Sequence, residues 1–281
     1  MLWRVSMGTS IRRWSSIVPF WRSLLMRNNN IRDVWERGEA VVSAWLSIGN
    51  SYTAEIAGWS GYDCVLVDLQ HGMTDVQTMI SMLQAISATP ATPIVRVPSC
   101  DAPVIMKALD AGAFGIICPM INSAAEAEAF VAATRYPPLG DRSFGPARGL
   151  LYGGADYFQH ADKSIVRLGM IETLDGLNAL DEICVVDGLD GVFVGPNDLG
   201  LALGKGTLGD PTDETVREAI LRCLSVAKKH GKHAGIFCPS SSVAARRSSE
   251  GFDFVVPNSE VNLLKSALIA EANGARVNVR K

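Results

Sequence analysis

What the 281-residue chain lacks narrows it first. It has no run of about 18 uninterrupted apolar residues, the length a membrane-spanning helix needs. It has no large excess of basic residues, with 26 Lys and Arg against 29 Asp and Glu, which argues against a nucleic-acid binder. Its six cysteines (Cys64, Cys100, Cys118, Cys184, Cys223 and Cys238) form no CxxC pair. Its four histidines (His71, His160, His230 and His233) form no HxH or HxxxH, so a zinc site built on histidines is not expected. Short internal repeats and low-complexity segments are absent. No serine elbow or Ser–His–Asp arrangement stands out, and no lysine is singled out as a Schiff-base former.

What is present describes a globular chain with ample material for a core: 48% hydrophobic and 20% charged residues, 26 Gly and 13 Pro. Several cysteines lie inside apolar runs such as CVLVDL and GIICPM and read as small buried hydrophobes, kept reduced in a cytoplasmic compartment. Charge is unevenly spread. Residues 1–30 hold Arg4, Arg12, Arg13, Arg22 and Arg27 without an acid, and also Trp3, Trp14 and Trp21. Such a start resembles an organelle transit peptide; a poorly ordered extension, or an upstream start with the working chain beginning near Met26, is the plainer reading. Residues 1–28 are therefore expected to lie outside the fold, and residues 29–281 to form one domain. An organellar location is the alternative to the cytoplasm.

Short β-branched runs alternate with helix-compatible stretches. The strand-like runs are 41–45, 64–68, 93–97, 115–119, 166–172, 191–194, 233–237 and 253–256. The helical segments are 52–58, 76–87, 102–111, 124–134, 177–186, 214–230, 241–250 and 260–273. Eight strand–helix units with near-continuous apolar strands predict an α/β protein, a closed (β/α)8 TIM barrel. An open doubly wound sheet is the alternative, but no GxGxxG run follows the first strand, where a dinucleotide fold carries it.

Polar residues gather at the ends of these strands. Asp68 and His71 follow the second run, Arg96 lies near the end of the third, Glu172 ends the fifth, and Asp198 follows the sixth. Parallel barrel strands bring their C-terminal ends to one face, so these five are expected to converge there. Glu172 and Asp198 suit a hard cation, Mg²⁺ or Mn²⁺, whose remaining ligands come from water and substrate. Alternatively, Glu172 caps a helix or pairs with a lysine. His71 is the candidate base, with Asp68 or Asp110 to fix its tautomer, or else a satisfied loop histidine. Arg96 could grip a carboxylate or an enolate, or form a surface salt bridge. Gly195-Pro196-Asn197-Asp198 reads as a tight turn whose amides could bind an anion. The Pro/Gly-rich stretch Arg135–Gly149 is expected to arch over the mouth, where Arg142 and Arg148 could meet an anionic substrate; otherwise they are solvated loop charges.

Taken together, AWLSIGNSYTAEIAGWSGYDCVLVDLQHG, IVRVP, ALDAGAFGIICPM, RYPPLGDRSFGPARG, MIETLDGLNALDEI and GLDGVFVGPNDLGLALG, in this order, resemble the HpcH/HpaI family of class II pyruvate aldolases. The resemblance implies a TIM barrel of the phosphoenolpyruvate/pyruvate-binding type. It implies a divalent metal (Mg²⁺ or Mn²⁺, with Co²⁺ as an option) on Glu172 and Asp198. His71 would be the base, ordered by Asp110 and Asp68. Arg96 would steady the pyruvyl oxygens, and Gly195, Pro196 and Asn197 would line the substrate. The reaction implied is cleavage of a 4-hydroxy-2-oxo acid, 4-hydroxy-2-oxoheptanedioate-like, to pyruvate and an aldehyde through a pyruvate enolate held at the metal. A homo-oligomer is implied, a hexamer or trimer of dimers with the last helix exchanged. Met170 stands where many members have glutamine, Asn197 where a small residue is frequent, and Glu260 where aspartate is common. Oxaloacetate decarboxylation, citryl- or malyl-CoA lyase activity and a non-catalytic scaffold or sensor are the competing readings. The Arg/Trp-rich start leaves membrane association as a question of location.

Overall fold

The computed structural model describes residues 26–206 and 209–276. Eight parallel strands close into a barrel in sequence order, β1-β2-β3-β4-β5-β6-β7-β8. In chain order the elements are α1 (Asn30–Glu36), β1 (Val41–Leu46), α2 (Ser51–Gly58), β2 (Cys64–Asp68), α3 (Val76–Ser87), β3 (Thr92–Arg96) and α4 (Ala102–Asp110). Then come β4 (Gly115–Cys118), α5 (Ala124–Thr134), α6 (Ala147–Gly153), α7 (Tyr157–Ser164) and β5 (Val166–Ile171). The chain continues with α8 (Leu174–Asn178), α9 (Leu180–Cys184), β6 (Gly191–Val194), α10 (Pro196–Ala202) and α11 (Glu214–Lys229). It ends with β7 (His233–Cys238), α12 (Ser241–Glu250), β8 (Phe254–Pro257) and α13 (Glu260–Gly274). Among the described residues no helix is long and apolar enough to cross a membrane.

Alternating strand side chains divide the core in two. Outward-pointing residues such as Val65, Val67, Val95 and Ile116 pack under the helices with Met79, Leu83, Ile105 and Phe130. Inward-pointing Val41, Trp45, Leu66, Ile94, Leu168, Met170, Phe193 and Phe254 fill the barrel itself. Helix α1, which the strand–helix count does not contain, plugs the N-terminal end of the barrel. Its Ile31 and Val34 join the interior cluster, and Trp35 donates its indole N–H to the Asp253 carbonyl at 2.8 Å. Asn29 caps α1 and also donates to the Phe114 and Ser164 carbonyls ahead of β4 and β5.

Residues 26–28, assigned by sequence to the extension, touch the barrel: Met26 packs against the core, and Arg27 donates to the Ser87 and Thr89 carbonyls. The arginines at positions 4–22 and Trp3, Trp14 and Trp21 lie outside the described residues.

The structure corrects three further expectations. The segment 177–186 is part of two short helices, α8 and α9, that meet at Ala179. Pro196-Asn197-Asp198 is the first turn of α10 rather than an isolated turn; proline at its start suits a position whose N–H has no helical partner. The stretch Arg135–Gly149 does not cover the mouth. It follows α5, not β4, so it lies at the opposite end of the barrel. There Arg142 is fully buried and donates to Asp110 at 2.9 Å and to the Tyr157 hydroxyl at 3.1 Å. Arg148 donates to the Ala111 carbonyl and to Ser87. Both arginines hold helices together.

Candidate active site

Strand β2 ends on Asp68 and β3 on Arg96, and the two residues are direct register partners. That pairing places a carboxylate beside a guanidinium within the barrel. Nε and Nη2 of Arg96 donate to the two Asp68 oxygens at 2.9 and 2.6 Å, a bidentate pair in which Arg96 is only 7% exposed. Trp45, at the end of β1, completes the unit. Its indole N–H donates to Asp68 at 3.2 Å, and its ring lies 4.5 Å under the guanidinium. Burial alone would raise the Asp68 carboxyl. The Arg96 guanidinium and the backbone N–H groups of His71 and Gln70 outweigh it and hold Asp68 below the usual carboxylate range.

These bonds also define the turn that carries His71. Asp68 receives the backbone N–H of His71 at 3.3 Å, so it shapes the loop rather than orienting the ring. Gly72 follows because a Cβ there would stand 2.2 Å from the Asp68 carbonyl oxygen. His71 itself is exposed at the cavity wall. Asp110 is not brought to His71 within the chain: it sits at the far end of α4, engaged by Arg142.

Glu172 follows β5 and is 3% exposed. One of its oxygens accepts the Met120 N–H at 2.9 Å, from a residue held at φ 56° after β4. The other faces Gly195, where a Cβ would come within 2.7 Å of it. Burial raises the Glu172 carboxyl, opposed by the Met120 N–H and Arg96 and reinforced by the negative charge of Asp198. A bound cation relieves both the burial and the repulsion. Asp198 is exposed in the first turn of α10. Among the described residues no group of three or more His, Cys, Asp or Glu side chains could hold a metal ion. The donor set of Glu172 and Asp198, two carboxylates at one cavity, suits a hard cation that takes its other ligands from water or substrate.

Asp68, His71, Arg96, Glu172, Gly195, Pro196, Asn197 and Asp198 all line one cavity of about 220 Å³. Its apolar wall is Trp45, Met170, Phe193 and Phe237. Sequence reading missed Trp45, Phe193, Phe237, Ser47 and Ser259 here. Inward-facing aromatic and small residues look like any barrel core, and nothing in the local sequence singles these out. Glu260 lies beside the cavity and receives the backbone N–H groups of Ser47 and Ile48.

A closed eight-stranded barrel with three acids, an arginine and a histidine around one cavity at its C-terminal mouth has the place and the residue types of a barrel enzyme's active site. The HpcH/HpaI aldolase/citrate lyase profile matches residues 42–263, and the chain belongs to that family. It is 42% identical to a hydroxypyruvate/pyruvate aldolase of Rhizorhabdus wittichii, over 87% of this chain and 98% of the other. It is 36% identical to a 5-keto-4-deoxy-D-glucarate aldolase of Shigella dysenteriae, over 80% and 88%. Among solved structures, an HpcH/HpaI aldolase/citrate lyase family protein of Burkholderia cenocepacia superposes with a TM-score of 0.82 at 30% identity, covering 89% of this chain and all of that one. The chain is thus an enzyme of the carbon–carbon lyase class, on the fold expected from its sequence.

Proposed function

We propose that the chain is a divalent-metal-dependent aldolase that cleaves a 4-hydroxy-2-oxo acid to pyruvate and an aldehyde, and catalyses the reverse addition. The observation that carries this reading is the one cavity lined together by buried Glu172, exposed Asp198, Arg96 and His71. Relatives named as hydroxypyruvate/pyruvate and 5-keto-4-deoxy-D-glucarate aldolases support a 2-oxo acid as the common partner.

Glu172 and Asp198 would hold Mg²⁺ or Mn²⁺, which when bound polarises the 2-keto oxygen of the substrate. Arg96, fixed by Asp68 and Trp45, keeps Nη1 for the substrate carboxylate or the enolate oxygen, where negative charge develops. His71 accepts the 4-hydroxyl proton as the C3–C4 bond breaks, leaving an aldehyde and the pyruvate enolate. Trp45, Met170, Phe193 and Phe237 keep water from the carbon that carries the charge. A homo-oligomer is part of this reading, supported by α13, which buries none of its residues on its own barrel while exposing Leu263, Leu264 and Leu268.

The test is pyruvate release from a panel of 4-hydroxy-2-oxo acids and oxaloacetate, with Mg²⁺, Mn²⁺ or EDTA. Metal-dependent cleavage of a hydroxy-oxo acid, lost in Glu172→Ala and lowered at least about 100-fold in His71→Ala, is expected. Turnover of oxaloacetate alone would reassign the enzyme as a decarboxylase, and no turnover at all would end the aldolase reading.

A further inference from the structure

The catalytic cavity does not end at its own wall. A second cavity, of about 420 Å³, shares Pro196, Asn197 and Phe237 with it and runs outward to α13. The face of α13 that borders this groove carries Asn262, Lys265, Ser266 and Ile269, spaced three and four residues apart as one helical stripe. The opposite face, with Glu260, Leu263 and Leu264, borders a different, apolar cavity. The two sides of α13 therefore have separate tasks: the leucine face suits burial by another subunit, and the Lys265 face looks onto the groove.

The groove has a definite sign among the described residues: none of those that line it is a carboxylate, and Lys265 is the cation they include. Among the described residues Lys265 has no ion-pair partner, whereas Lys228, Lys229 and Lys205 are each paired with an aspartate. Asn258, held at φ 81° just before α13, uses its side-chain oxygen to receive the Ser259 N–H and the Asn262 amide. Those bonds fix the amide-rich rim next to Lys265. An uncompensated ammonium beside amides and a hydroxyl, opening onto the reaction cavity, is a place for an oxyanion.

We propose that Lys265, with Asn262 and Ser266, forms a distal subsite for an anionic group on the aldehyde half of the substrate. This rests on the aldolase reading above and names the aldehyde it favours: one ending in a carboxylate or a phosphate. The 2-oxo acid occupies the inner cavity, and the aldehyde chain extends past Asn197 and Phe237 to place its charge at Lys265.

The experiment measures kcat/KM for addition of pyruvate to propanal, succinic semialdehyde and glyceraldehyde 3-phosphate, using the full chain loaded with Mg²⁺. The wild type is expected to favour a charged aldehyde over propanal, and the carboxylate and phosphate arms separate the two sources of charge. In Lys265→Gln the charged-to-neutral ratio falls about three- to tenfold, while Lys265→Arg keeps it within about twofold. Added salt lowers the ratio in the wild type but not in Lys265→Gln. A ratio unchanged by Lys265→Gln, or an equal fall for all three aldehydes, overturns the proposal. If no aldehyde is turned over, the aldolase reading is what has failed, and calorimetry with succinate and with inorganic phosphate decides the subsite. Binding weakened by Lys265→Gln supports it; binding unaffected by the substitution, or absent, overturns it.

Discussion

At Gly195 the missing side chain is the functional feature. Strand β6 brings this residue against the Glu172 carboxylate so closely that a methyl group would sit 2.7 Å from one of its oxygens. The same oxygen is the one not committed to the Met120 N–H. Gly195→Ala is therefore expected to push Glu172 from its place and weaken Mn²⁺ binding about 10- to 100-fold. A Mn²⁺ titration followed by electron paramagnetic resonance checks this, and unchanged affinity would separate Glu172 from the metal. The same reasoning distinguishes Asp68 from Glu172. Asp68 is a buried anion neutralised by Arg96, whereas Glu172 is a buried carboxyl pushed up by its burial and by the negative charge of Asp198. Sequence reading placed both at strand ends. It gave Glu172 to a cation and Asp68 to His71; that Asp68 instead pairs with Arg96 lay beyond it, because neither register nor burial is written in the local pattern.

At the scale of elements, the segment between α5 and α6 decides how a Pro/Gly-rich stretch is to be understood. Its composition matches a lid, but α5 has already carried the chain back to the N-terminal end of the barrel. Arg142 there stacks 4.5 Å from the Tyr136 ring and bonds Asp110 and Tyr157 without any exposed surface. Arg142→Ala is expected to lower unfolding free energy by about 3 kcal/mol, since it leaves Asp110 and Tyr157 without their partner. Urea denaturation measures that loss. KM for the 2-oxo acid is expected to stay within about twofold, and a large rise would return this segment to the substrate. Helix α1 shows the complementary case. Seven residues before the first strand close the barrel floor with Ile31 and Val34, a task no strand–helix count reveals.

For the molecule as a whole, α13 and the acid limit of stability are the features to measure. α13 keeps Leu263, Leu264 and Leu268 about half exposed on a single chain, more apolar surface than a solvent-facing helix needs. Light scattering after size exclusion is expected to give a mass above one chain, and Leu264→Glu is expected to lower it. One contributor to the acid limit is Asp253, which precedes β8 and bonds both His233 and Lys228. Burial would raise its carboxyl, but these two partners outweigh it and hold it below the usual range. A carboxyl depressed in the folded state contributes stability above its unfolded value of about 4 and loses it as pH falls through the lower folded value. Denaturation midpoints are thus expected to hold steady above about pH 5 and fall below about pH 4. Asp253→Asn should lower the plateau and flatten that acid slope; an unchanged slope would remove Asp253 from the account.

The sequence by itself determined the barrel and the acids, arginine and histidine of its mouth, because strand periodicity and strand-end position are local properties of the chain. It also carried the family, through motifs whose order is as telling as their residues. Only the tertiary structure decided which carboxylate serves which partner. Asp68 belongs to Arg96 through a register match between β2 and β3, and Asp110 belongs to Arg142 through helix packing at the other end. Only the folded chain shows Trp45 beneath Arg96, Met120 behind Glu172 and the groove that leads to Lys265. The reason is physical: these contacts join residues about 20 to 80 positions apart, and their geometry is fixed by barrel closure and packing rather than by neighbouring residues.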